Sequence, residues 1–193
     1  MSVNQRTLSP WARRPDVRIG AVIAVAALVA LVVWLLVRGG GSDSSGQPSA
    51  EPIAPKAASP TEIRDLSVET GRPIYWLGPE DDKVYELQRT SQDRVYVRYL
   101  PPDVSVGTKS AGYRLVGTYP VHSAYSVLKS LAKVGGEVSF TAPRGAIAVY
   151  SQSRPTNIYL AYPGSDVQIE VYDPSPAQAR SLVASGRVVP VGS

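Results

Sequence analysis

Few residues in this chain could do chemistry unaided. Its 193 residues include one histidine, His122, and no cysteine. Ser/His/acid catalysis needs that histidine to face both a serine and a carboxylate. Ser123 is adjacent to it in a stretch that reads as the start of a helix, where neighbouring side chains point apart. A lone surface histidine is the expectation. Thiol chemistry has no nucleophile here, and a zinc site would lack its usual Cys/His ligands. Glu80-Asp81-Asp82 gathers carboxylate oxygens but lacks the spaced D-x-D-x-D-G pattern of a calcium loop. It reads as a solvated turn. An envelope hydrolase built on loop carboxylates such as Glu80, Asp81 or Asp103 is the catalytic alternative, and it would need two of them about 5–10 Å apart. Gly39-Gly40-Gly41 lacks the Lys-Ser/Thr of a phosphate loop. No motif asks for a cofactor or a metal, so none is expected.

The informative choice is aromatic. All eleven tyrosines lie beyond residue 61, against a single phenylalanine. A tyrosine suits a place where one ring face packs and the hydroxyl reaches water or a partner. On the strand face expected to be solvated lie Tyr96 and Arg98, with Tyr159 at a corresponding place further on; Tyr75, Trp76 and Arg154 are expected near by. Tyr, Trp and Arg together are common anchors of binding surfaces. The same rings could simply brace cross-strand pairs. These six residues form the candidate ligand-binding set, and no catalytic residue is assigned.

The elements that would position them read as two copies of one unit. RVYVRYLPPD at 94–103 falls on NIYLAYPGSD at 157–166 at an offset of 63. Moving back, Val84 meets Ile147, Leu87 meets Tyr150, and RPIYWL at 72–77 meets GEVSFT after Gly135. Moving on at an offset of 54, YRLVGTYP at 113–120 meets VQIEVYDP at 167–174, so the first copy carries nine extra residues after Pro101-Pro102. The copies span about 60–120 and 121–174. A final helix and the strand RVVPV at 187–191 follow, the latter matching RPIYWL.

Three helices have start and stop signals. Ser59-Pro60-Thr61-Glu62 and Ser175-Pro176-Ala177-Gln178 are capping boxes with proline at the first helical position. Gly71 and Gly186 stand where a left-handed residue would end each helix. The middle helix is expected over Val121–Val134, with Val121, Ala124, Leu128 and Leu131 on one face and Gly135 after it. Val95, Val97 and Tyr99 alternate with Arg94, Tyr96 and Arg98, and Val167, Ile169 and Val171 with Gln168, Glu170 and Tyr172. That pattern predicts a sheet with one face on helices and the other in water. The expected class is α+β, mainly antiparallel, built from two αββββ-like repeats plus a last helix and strand.

Upstream, Ile19–Val37 runs 19 residues without a charge. As a helix that is about 28 Å, near the hydrocarbon thickness of a bilayer. Arg6, Arg13, Arg14 and Arg18 precede it, so the basic tail of residues 1–18 is expected in the cytoplasm and the rest outside the plasma membrane. The run is too long, and wrongly flanked, for a cleaved signal peptide. Residues 38–59 read as a disordered Gly/Ser/Pro linker: 17 of the 22 residues Gly39–Pro60 are Gly, Ser, Pro or Ala. Residues 60–193 form the expected extracytoplasmic domain. Residues 1–61 hold six Lys/Arg against three Asp/Glu, and 62–193 hold fourteen against thirteen. The excess charge therefore serves the anchor and anionic lipid, and a nucleic-acid partner is not expected.

The series RPIYW, YEL, VYVRYLPP, VGTYP, AVY, RPTNIYLAYPG and EVYDPSPAQARSLV resembles a group of uncharacterised single-pass membrane-anchored proteins of high-GC bacteria. The resemblance covers about residues 10–191. It implies the layout of tail, span, linker and Tyr-rich domain, and carries no activity. The function expected is a non-enzymatic binding or scaffolding module whose ligand is an envelope protein, a peptide or a cell-wall glycan. The alternatives are the loop-carboxylate hydrolase and an accessory subunit of a membrane complex.

Overall fold

The computed structural model describes residues 54–193. The tail, the apolar run 19–37 and the linker up to residue 53 lie outside the described residues. In order, the chain forms β1 (Lys56–Ala58), α1 (Pro60–Thr70), β2 (Tyr75–Trp76), β3 (Val84–Arg89), β4 (Val95–Leu100), β5 (Leu115–Pro120) and α2 (Ala124–Leu131). Then come β6 (Glu137–Ala142), β7 (Ala146–Ser151), β8 (Asn157–Ala161), β9 (Val167–Tyr172), α3 (Pro176–Ala184) and β10 (Val189–Pro190). Eight strands make one sheet in the order β1-β3-β4-β5-β9-β8-β7-β6, antiparallel at every step. The expected α+β class with a mainly antiparallel sheet is what the chain builds. Among the described residues no helix is long and apolar enough to cross a membrane.

The caps decide the helix ends. Ser59 Oγ accepts from Glu62 N–H at 3.2 Å and Glu62 returns to accept from Ser59 N–H at 2.7 Å, a complete capping box. Gly71 then takes φ 63° and ends α1. At α3 only half of the device forms: Ser175 Oγ accepts from Gln178 N–H at 3.4 Å. The middle helix is shorter than its apolar spacing predicts. Ser123 adopts φ 54° and its N–H donates to Asp166 Oδ1 at 2.6 Å, so α2 starts only at Ala124.

Three placements differ from the sequence reading. Lys56–Ala58, read as linker, pairs with β3 as an edge strand. Tyr75–Trp76 leaves the main sheet and pairs with β10 instead, Val189 opposite Trp76 and Pro190 opposite Tyr75. The place beside β3 that alignment with GEVSFT would give it is held by β1. Finally, the sheet does not keep one face in water. One face carries the main core, with Ile63 of α1, Ile74 and Leu77 flanking β2, and Leu182 and Val183 of α3 packed on Val97, Val116, Ile158 and Ile169. The opposite face is covered by α2 over β7 and β8, where Ala124 and Leu128 pack on Val149 and Ala161. Burying that apolar stripe of α2 outweighs leaving the second face solvated.

Candidate functional site

The register sets one row of residues across the middle of the α2-bearing face. Tyr96 stands opposite Gly117, Gly117 opposite Glu170, and Glu170 opposite Tyr159. Gly117 supplies no side chain, and the ring of Tyr119, two residues on, lies over it. A Cβ at Gly117 would stand 2.6 Å from Tyr119 Oη. So placed, the Tyr119 hydroxyl donates to Glu170 Oε2. Asn157 Nδ2 donates to Glu170 Oε1 at 2.5 Å, and the Tyr159 hydroxyl donates to the same oxygen at 3.3 Å. Thr156 Oγ1 holds the Asn157 amide by donating to its Oδ1 at 3.0 Å. Tyr96 meets Tyr119 edge to face at 5.7 Å, and the Arg94 guanidinium lies 5.9 Å from the Tyr119 ring centre.

Electrostatics keep these hydroxyls as donors. Burial, and after it the Glu170 charge, pushes the Tyr119 phenol well above its ordinary value. The same two causes, in the same order, push Tyr159 up, with Arg154 pulling weakly the other way and Tyr96 adding to the rise. Both phenols therefore stay protonated at neutral pH and present O–H to the carboxylate. Glu80, Glu86 and Asp173 each hold an arginine at 2.8 Å. Glu170, half-buried, is held by two hydroxyls and an amide instead. Two covers flank the row. One is α2. The other is the loop 101–112, drawn down on Glu86 and Arg98: Gly107 N–H donates to Glu86 Oε2 at 2.6 Å, and Arg98 donates to the carbonyls of Thr108 at 2.9 Å and Ser110 at 3.1 Å. Between the covers Tyr96, Tyr119, Asn157, Tyr159 and Glu170 are half-buried, each keeping part of its surface open.

The six residues expected to share a surface divide. Tyr96 and Tyr159 flank the row, and Arg154, in the turn after β7, acts on Tyr159. Arg98 is on the same face but spent: its side chain is 15% exposed and paired with Glu86 at 2.8 Å across β3 and β4. Tyr75 and Trp76 lie on the opposite face, each 7% exposed. Tyr75 stacks on Tyr162 at 5.7 Å and Trp76 packs edge-on to Tyr85 at 5.8 Å, so both rings are packed into the core and not on the expected surface. The acidic turn also departs from expectation. Glu80 is 17% exposed and pairs with Arg114 at 2.8 Å and Arg187 at 3.3 Å, while Asp81 and Asp82 stay exposed. His122 is 92% exposed, with Asp166 Oδ1 3.3 Å away. Among the described residues no group of three or more His, Cys, Asp or Glu stands ready to share a metal ion.

Sequence reasoning passed over Gly117, Tyr119, Asn157 and Glu170. The signal was present only as the overlay of YRLVGTYP on VQIEVYDP, the two segments that become the paired central strands β5 and β9. Compared with protein-family models, with curated proteins and with solved structures, the chain gives no match.

Proposed function

We propose that this chain is a non-enzymatic binding or scaffolding module, anchored by the apolar run 19–37 with its basic tail in the cytoplasm and residues 60–193 on the outer side of the plasma membrane. Its ligand is a peptide, an envelope protein or a cell-wall glycan, met at the row Tyr96–Gly117–Glu170–Tyr159. The observation that carries this reading is the chemistry of that row. Partly exposed rings, an amide and a half-buried carboxylate stand together between two covers, with the Tyr119 and Tyr159 hydroxyl protons held by Glu170. Such a surface offers stacking together with both donors and acceptors.

The domain is a duplication under this proposal. In its support, β5 and β9 pair at the sheet centre, β4 and β3 follow on one side, and β8 and β7 follow on the other. The correspondence covers those three strands per copy and stops at the fourth, since β2 and β6 go to different places.

Spheroplasts carrying the full-length chain test the proposal. Labelled soluble cell-wall glycan fragments, and separately a labelled peptide digest of envelope proteins, are added outside. One of the two should bind, and added protease should remove the domain. Tyr96→Ala/Tyr159→Ala should lose most of the binding, whereas Val68→Ala, at a site 76% exposed on α1, should keep it. No binding of either probe, retention by the double variant, or a protected domain would each refute the reading.

A further inference from the structure

The two edges of the eight-stranded sheet are built differently. The β1 edge is blunted: three residues long, opening on Lys56, preceded by Pro55, with Lys56 held 3.7 Å from Glu62. Short length, lysine and proline are the usual means of keeping an edge from pairing. The β6 edge has none of them. Its six residues, Glu137-Val-Ser-Phe-Thr-Ala142, contain no proline, lysine or arginine and pair residue for residue with β7 without a bulge.

The hydrogen-bond phase shows what this edge offers. Gln152 N–H donates to the Gly136 carbonyl, so in the antiparallel ladder the even residues 136–142 bond to β7 and the odd ones turn their backbone groups outward. Glu137 N–H is already donated to Val134 O at 3.2 Å. Ser139 and Thr141, both exposed, present N–H and C=O groups away from β7, and Glu137 presents its C=O.

We propose that two copies of this chain join through β6, antiparallel, with Ser139 on the two-fold axis. The pattern of these outward groups, which have no partner among the described residues, is self-complementary in that register. Each Ser139 exchanges both of its bonds with Ser139 of the second copy. Each Thr141 N–H donates to the Glu137 carbonyl of the other copy, at the position where the Glu137 N–H has already been taken internally. A two-fold axis perpendicular to the sheet keeps faces matched. Val138 therefore meets Phe140 of the second copy on the core side, twice, a β-branched–aromatic pair of the kind that stabilises cross-strand contacts. The two Glu137 side chains fall at opposite ends of the ladder, so like charges do not meet. The contact is isologous and the outer edges are blunted, so assembly closes at two copies and does not run on as a fibre. The proposal is independent of the ligand-binding row, which lies at the sheet centre.

The absence of cysteine from the chain makes the register testable in the full-length protein in membranes. Under a mild oxidant, Ser139→Cys should give covalent dimer at several times the yield of Gln92→Cys, an exposed control in the β3–β4 turn. Thr141→Pro removes one outward N–H and spares the bonds to β7. In detergent it should change the light-scattering mass of the chain from two copies to one, with an unchanged circular dichroism spectrum. Equal cross-linking at 139 and 92, a one-copy mass for the unaltered chain, or a two-copy mass for Thr141→Pro would overturn the proposal.

Discussion

Gly117 is the residue on which the candidate site turns. Its missing side chain makes the space in which the Tyr119 ring lies, and that ring carries the hydroxyl to Glu170. Gly117→Ala would place a methyl 2.6 Å from that oxygen, so the ring must move and the carboxylate loses a donor. Overpacking of this kind costs about 1–3 kcal/mol. Denaturant unfolding should show a loss in that range, together with weaker binding at the row. Tyr119→Phe in the Gly117→Ala background should lose little more, since the hydroxyl is already displaced. Additive losses in the double variant would show that the glycine and the tyrosine act separately. Sequence inspection shows a glycine inside a strand and a glutamate among alternating residues, yet it does not show that they stand opposite each other.

Element by element, the helices were the most legible part. The limits of α1, Pro60 to Thr70, follow from local signals, because a capping box and a left-handed glycine act over three or four residues. The two serine caps differ in a way that can be measured. Ser59 takes part in bonds in both directions and draws the Glu62 carboxyl below its usual range, mainly through the Ser59 N–H. Ser175 accepts one long bond. Ser59→Ala should therefore cost about 1 kcal/mol and Ser175→Ala clearly less, by denaturant unfolding. The backbone N–H bond to Glu62 survives in Ser59→Ala, so equal losses would mean that the second bond of the Ser59 hydroxyl, to Glu62 Oε2 at 2.9 Å, contributes nothing. The start of α2 was not legible, since the acceptor that stops it at Ser123 is Asp166, 43 residues away.

Across the whole molecule, Arg114 joins parts of the chain that are distant in sequence. It donates from Nε to Asp173 after β9 at 2.8 Å and from Nη1 to Glu80 before β3 at 2.8 Å, and Glu80 also meets Arg187 beside β10. Asp173, 5% exposed, would be left buried without its cation by Arg114→Met. Breaking one side of a buried pair costs about 3–5 kcal/mol; Arg114 keeps some contact with water, so a loss nearer the lower figure is expected. Thermal unfolding should fall to a lower temperature while remaining one transition, because β5 and β9 join both halves in a single sheet. Two separated transitions would show that the halves fold as independent units.

Sequence alone determined what short-range physics controls: the α+β class from alternating and helical periodicities, the antiparallel strands, the helix caps, and the tyrosine preference that led to Tyr96 and Tyr159. Tertiary structure decided every question of partnership. It paired Tyr75 and Trp76 with β10, spent Arg98 on Glu86, laid α2 on the face expected to be in water, and brought Glu170 to the Tyr119 hydroxyl. A strand's two-residue period says which residues share a face. Which strand lies alongside, and what covers that face, depends on contacts between residues tens of positions apart, and local pattern does not encode those.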